Sequence, residues 1–584
     1  VSRRRPWALA VVVTAVTLVL SGCVRLPESG PVVETRSAGS LDDQPIINID
    51  PRPPQPGASA TEVVKGFLDA MTATPIQTTV AREFLAKDLR TSWNPQRRLI
   101  TYADASPPRL RGPSKVAVTL TSADQLDARL AWQGRLPRSK RVVDFPVTME
   151  NGEYRIEDAP NALIVPETWF EQRFREVSLY FFDPTATILV PEPVFVPRGD
   201  QLTTALVKGL LRGPGTELDR VSRSFIPPGL DYGVSVTVSD AGVADISLKG
   251  DVSPENSQAV DLMMAQFAWT LRQDPAVRAF QVTVGGQQIQ LPGGVSEVSV
   301  EEGAAYDPTG FRSSSLLYGL RDGLLVSGTA SGLDPVDGPL GQDREGIRSL
   351  AVNLDATRAA GVTDDGSAVV VAPVHAPGTE VRQEASGASD LLRPAWDFAD
   401  RLWLVDRTPG GARISYVWHD RLTALQVSGI TGRQVRGFLV SRDGSRLVAV
   451  VHRGRAGDAI MVSRIKHDDQ GRVLGAERAQ RLVWEGSGRL RIRDLAWRTT
   501  TSIAVLNLVG DQLAQVRALP LDGSPPAIGS LSTTLPGNIE GLVGSPAPSE
   551  DLYARTRSSL RDLSSSGSGL QNLESGTTAL GYVG

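Results

Sequence analysis

From Trp7 to Leu20 the chain is apolar almost without interruption, behind the cluster Arg3-Arg4-Arg5. A charged region followed by an apolar run of this length predicts a secretory signal over residues 1–22, and the run is too short to span a bilayer. From Val24 to about Ala58 no periodicity is sustained; Pro, Gly, Ser and charge dominate and predict a tether over 23–58. Order resumes at Ser59-Ala60-Thr61-Glu62, a capping-box spacing. Val63, Val64, Phe67, Leu68 and Met71 then recur at helical spacing and define one buried face. A second short helix carries Val80, Phe84 and Leu85. From Lys115 the period falls to two, through Val116–Leu120, Leu126–Gln133 and Val142–Met149, with a turn at Asn151-Gly152 before Tyr154–Ile156. Helices followed by an antiparallel sheet predict an α+β domain over 59–165.

The next block mixes both periods. Leu202, Leu206, Val207, Leu210 and Leu211 share one helical face, with Asp200 as candidate cap and Gly213-Pro214-Gly215 as the stop. Val234, Val236 and Val238 alternate with Ser235 and Thr237, turn at Asp240-Ala241-Gly242, and pair with Ala244, Ile246 and Leu248. Ser253-Pro254-Glu255 reads as the opening of a second helix with core face Val260, Met263, Met264, Phe267 and Leu271. Phe280, Val282 and Val284 turn at Gly285-Gly286 into Ile289 and Leu291, a hairpin pattern. Pro191, Pro193 and Pro197 ahead of the block read as a stiff linker.

From about residue 310 the texture is all-β. Ile347–Val352, Leu392–Trp396, Val435–Val440, Ile492–Trp497 and Ile539–Leu542 resemble one another, and most precede a turn and a second apolar strand. Ser441-Arg442-Asp443-Gly444-Ser445 and Thr363-Asp364-Asp365-Gly366-Ser367 carry the same Asp-Gly turn chemistry. A period of roughly 45 to 55 residues with several strands per unit predicts a β-propeller over 310–584, with about five or six units. Thr577–Val583 is placed to complete a blade shared with the strands of Phe311–Val326.

Composition narrows the setting. The chain has 584 residues, too many for one core, and a formal net charge of -4, so no basic field points to nucleic acid. Its one cysteine is Cys23, in Leu20-Ser21-Gly22-Cys23, directly behind the apolar run. That tetrapeptide resembles the bacterial lipobox. The resemblance implies cleavage before Cys23, an S-diacylglycerol thioether on its thiol and N-acylation of its amine. Each buried CH₂ contributes roughly 0.8 kcal/mol, so two or three chains hold a soluble body on the extracytoplasmic face of the cell membrane without a transmembrane helix. With Cys23 lipidated, no disulfide can form.

Leu-Leu-Arg-Gly-Pro at 210–214, Ile-Pro-Pro-Gly at 226–229 and Ala-Asp-Ile-Ser-Leu at 244–248 resemble the GerMN domain over residues 195–295. That family offers no catalytic residue to carry over, and Asp245 reads as the solvent side of an alternating strand. The order lipobox, α+β domain, GerMN-like domain and propeller resembles the actinobacterial lipoprotein LpqB family across nearly the whole chain. The expected fold is therefore multi-domain: an α+β N-terminal domain, an α+β GerMN-like domain and a C-terminal all-β propeller. The resemblance implies an accessory protein of the MtrA–MtrB two-component system, whose partner is the extracytoplasmic domain of the membrane sensor kinase MtrB.

The residue pattern predicts neither an enzyme nor a cofactor. His375, His419, His452 and His467 lack metal-ligand spacing. Ser463-Arg464-Ile465-Lys466 has the serine–lysine spacing of penicillin-binding enzymes but lies in β texture with no Lys-Thr-Gly partner. Arg393, Arg436 and Arg493 recur at similar blade positions, where blade-to-blade hydrogen bonding or a shared surface would explain them. Two functions are carried forward. One is an envelope protein that binds and modulates a kinase; the other is a glycan- or peptide-binding protein or hydrolase working through the propeller funnel.

Overall fold

In the computed structural model the N-terminal domain is a helix laid against a curled sheet. The structure describes residues 50–199, 201–233, 235–250, 256–484, 488–510, 512–564 and 569–584. The signal, Cys23, most of the tether, the Asp200 cap, Val234 and Ser253-Pro254-Glu255 lie outside the described residues.

The helix Ala60–Ala70 starts where the capping box places it. Ser59 N donates to Glu62 Oε2 at 2.8 Å, and Glu62 N donates to Ser59 Oγ at 3.4 Å. Its buried face, Val63, Val64, Phe67 and Leu68, packs on strands Lys115–Thr121 and Val142–Glu150, with Phe67 meeting Trp93 and Phe145 edge-on or tilted. A second sheet sets Leu99–Tyr102 between the antiparallel Asp124–Leu126 and the parallel Leu163–Pro166.

The proline-rich stretch expected to be a linker is instead a strand. Phe174–Phe182 and Leu189–Pro197 form a nine-pair antiparallel hairpin. Pro191, Pro193 and Pro197 share one parity, so all can occupy positions that owe no hydrogen bond to the partner strand. Their opposite numbers on that strand confirm the geometry: Tyr180 and Ser178 turn their N–H groups away, to Thr270 Oγ1 at 3.2 Å and Gln273 Oε1 at 2.8 Å. Val177, Leu179, Phe181, Val194 and Val196 belong to the core of the GerMN-like module.

That module is a βαβ unit. Val243–Lys249 and Ala279–Val284 run parallel, joined by the helix Ser257–Leu271, whose described cap is Asn256 Oδ1 accepting from Ala259 N at 2.9 Å. The helix Leu202–Leu211 covers the same core. Gln266, fully buried in Ser257–Leu271, is satisfied by Phe225 N at 2.6 Å and Tyr180 O at 3.2 Å, which ties hairpin and module together.

The all-β region is a six-bladed ring. Blades 2 to 6 begin with inner strands Ile347–Val352, Ala395–Trp396, Gln434–Val440, Ile492–Thr499 and Gly541–Val543. Blade 1 takes its inner strand, Thr577–Gly581, from the far end of the chain, paired with Leu317–Arg321. An apolar cluster fills each gap between neighbours, including Val543 and Tyr553 of blade 6 against Leu317 and Leu580 of blade 1, so the ring is closed.

Candidate functional site

Each inner strand enters the propeller axis at one end and leaves at the other, and the two ends carry different chemistry. At the leaving end the hairpin docks. Glu192, 5% exposed, receives Arg464 in a two-pronged pair, Nη1 to Oε1 at 2.9 Å and Nη2 to Oε2 at 2.7 Å. Arg446 adds a contact to Glu192 at 3.5 Å, bonds the Pro191 carbonyl and pairs with Asp443 at 3.2 Å. His467 N donates to Arg220 O at 2.8 Å beside them. Arg129 of the N-terminal domain pairs with Asp127 at 3.0 Å, and reaches Glu217 and the Pro214 carbonyl of the GerMN-like module. These contacts surround a cavity of about 180 Å³ lined by Trp132, Glu192, Glu217, Arg464 and Asp522, one or more residues from every domain.

At the leaving end of the channel one arginine links several blades. Arg442 follows the inner strand of blade 4 and donates to Thr309 O at 3.1 Å, Ser545 Oγ at 3.0 Å and Val583 O at 3.0 Å. One guanidinium therefore spans blade 4, blade 6 and the closing end of blade 1.

The entry end holds the recurring arginines. Arg348, Arg436 and Arg493 are each the residue skipped where the inner strand slips register, a bulge repeated in blades 2, 4 and 5. Arg393, in blade 3, sends Nε to Leu350 O at 2.9 Å and Nη1 to Leu580 O at 3.4 Å, so it bonds blade to blade. Desolvation by the surrounding blades pulls its pKa down, although the residue keeps accessible surface facing the channel. Arg393, Arg436 and Arg493 line one cavity of about 200 Å³. Both readings of these arginines therefore hold: Arg393 ties blades and, with the other two, shares a surface.

The remaining candidates separate. His452 Nδ1 lies 2.7 Å from Asp458, His419 stacks on Trp418, and burial with Arg401 nearby pulls His467 down to about 3. No group of three or more metal-ligating side chains occurs among the described residues. Ser463 Oγ donates to Glu477 O at 2.6 Å and Lys466 pairs with the Glu477 carboxylate at 3.1 Å, so serine and lysine face the same residue and not each other. Asp245 is half-buried in mid-sheet, opposite Thr237 and Gln281. Sequence reading missed Glu192, Arg129 and the arginines that open the second strands, Arg358, Arg401 and Arg446. A signal existed for the last three: each closes a short first turn that begins with a small polar residue, Asn353, Asp397 or Ser441.

Three comparisons bear on the whole. Residues 53–171 match the model described as "Lipoprotein LpqB, N-terminal domain", 178–290 match "Sporulation and spore germination", and 323–559 match "Lipoprotein LpqB beta-propeller domain". Lipoprotein LpqB of Thermobifida fusca (strain YX) is 28% identical over 573 residues, 88% of this chain and 90% of that one. The Streptomyces avermitilis protein of the same name is 27% identical, covering 98% of both chains, and that of Cutibacterium acnes 25%, covering 91% of both. Matched by N-terminal and propeller models of one family and by relatives along nearly its whole length, the chain belongs to the lipoprotein LpqB family.

Proposed function

We propose that this lipoprotein is held through Cys23 on the extracytoplasmic face of the cell membrane, where it binds the extracytoplasmic domain of a sensor kinase of the MtrB type and shifts its signalling state. The observation that carries the reading is the buried Glu192–Arg464–Arg446 weld. It fastens hairpin, GerMN-like module and propeller into one body, as a protein that presents a composite surface to a partner requires. Acyl anchoring confines that body to the plane of the membrane and raises its effective concentration near a membrane kinase. Binding one kinase conformation better than the other is sufficient to move the equilibrium between them. The role is binding and not bond chemistry.

The test places the acylated chain in nanodiscs and titrates the purified kinase domain. Saturable binding that weakens on substitution of exposed residues of the GerMN-like module supports direct contact. Absence of binding at high micromolar concentration ends it.

A further inference from the structure

We propose that the entry end of the propeller channel is a binding site for carboxylates of an acidic peptide, received by Arg436 and Arg493 above Arg393. This site is independent of the proposed contact with the kinase.

At this mouth the local carboxylates are occupied by closer partners, whereas Arg436 and Arg493 are only loosely engaged. Asp458, the carboxylate nearest Arg436, accepts from His452 at 2.7 Å and from Ile492 N at 2.8 Å, and Arg436 stays 3.6 Å away with its side chain 49% exposed. Asp494 gives its two oxygens to backbone amides, Leu495 N at 2.9 Å and Leu542 N at 2.8 Å. The Glu540 carboxylate is held by Arg555 at 3.1 Å. Arg493 makes one long bond, Nε to the Glu540 carbonyl at 3.3 Å, which leaves its terminal amino groups directed to no partner among the described residues. Exposed guanidinium forks beside a cavity with saturated carboxylates match a planar anion arriving from outside.

The bulges explain why the forks face inward. A residue skipped in the ladder is free of strand pairing and is re-aimed, and the same device recurs at Arg436 and Arg493. At the other end of the same cavity Arg442 is held by Ser545 and Val583, so its guanidinium is already bonded to the protein. The docked domains do not cover this mouth, since they contact the opposite end of the blades at Arg446 and Arg464.

Peptide fits better than phosphate or sugar. Between the arginines the walls are apolar, with Leu392, Phe438, Leu495, Leu542 and Tyr582, which suits the hydrocarbon of a glutamate side chain and its backbone. A phosphate dianion would meet Asp494 on the same wall with twice the charge.

The test uses the full acylated chain in nanodiscs and isothermal titration calorimetry. The probes are a blocked hexapeptide alternating glutamate and glycine, its glutamine counterpart with a blocked end, the glutamine peptide with a free C-terminal carboxylate, and inorganic phosphate. The glutamate peptide is expected to saturate and to bind about tenfold more weakly, or worse, to R436A/R493A. Its affinity should also fall between about 50 and 500 mM salt. Both residues are exposed, so an unchanged melting temperature checks that the variant is folded. Binding of the free-ended glutamine peptide to wild type, lost in the variant, would assign the site to a chain terminus and still support it. Equal binding of glutamate and blocked glutamine peptides, wild-type affinity in R436A/R493A, or binding of phosphate in preference to peptide would overturn it. The kinase titration is a separate experiment, and failure of either leaves the other standing.

Discussion

Glu176 stands on the hairpin strand Phe174–Phe182, where burial and then the charge of Asp522 on the propeller push it up to about 8 from an ordinary 4.5. Asp522 is itself raised by burial, and its Oδ2 has no hydrogen-bond partner. A carboxyl raised on folding contributes stability that is complete below 4.5 and lost as pH rises through about 8. Melting temperature should therefore fall across that window, and Glu176→Gln, which cannot ionise, should flatten the fall; an unchanged profile would show that Glu176 is not its source. His467 has the opposite sign. Pulled down to about 3 from 6.5, it contributes stability that is present above 6.5 and lost as pH drops toward 3. His467→Gln should blunt the acid side of the same melting curves. Neither group is marked in the sequence, because both shifts come from chain segments far away.

Turns are where elements were most legible and also where they misled. Asp443-Gly444 and Asp365-Gly366 build the same turn: a hydroxyl of Ser441 or Thr363 on the Asp, and the Asp on the amide of Ser445 or Ser367. Yet 441–446 joins the first and second strands of blade 4, whereas 363–368 joins the second and third of blade 2. Turn chemistry is local and carries no record of blade position. Tertiary packing separates such glycines energetically. Gly444 and Gly378 both have positive φ, at 69° and 75°. A Cβ at Gly444 would sit 2.7 Å from Arg401 Nη2 and 3.1 Å from Asp397 Oδ2, while at Gly378 it meets nothing within 4 Å. Gly378→Ala should cost roughly 1 kcal/mol from the backbone alone. Gly444→Ala should exceed it by about 1–3 kcal/mol, since it presses on the buried Asp397–Arg401 pair. Urea denaturation of the two variants measures the difference, and equal losses would refute the packing account.

At the scale of the molecule, Glu192 joins parts of the chain 272 residues apart. Glu192→Ala takes the two-pronged partner from half-buried Arg464 and leaves buried Arg446 with Asp443 as its remaining carboxylate, at a cost of up to about 3–5 kcal/mol. The propeller should then unfold separately from the GerMN-like module, so calorimetry is expected to show two transitions where the wild type shows one. A single unshifted transition would mean that the weld contributes little. Periodicity, turn chemistry and the order of blocks sufficed to determine the kinds of element, the succession of domains and the family, since each is written in neighbouring residues. The repeated arginine of the inner strands was legible too, because the bulge residue keeps its place in blades 2, 4 and 5. What tertiary structure alone decided is long-range: the parallel pairing of Leu99–Tyr102 with Leu163–Pro166, the strand hidden in a proline-rich stretch, and the meeting of Arg393, Arg436 and Arg493 at one mouth. The reason is physical. A strand's partner and a cavity's walls are set by where distant segments return, and the free energy that selects those returns is burial summed over the whole fold, which no local stretch encodes.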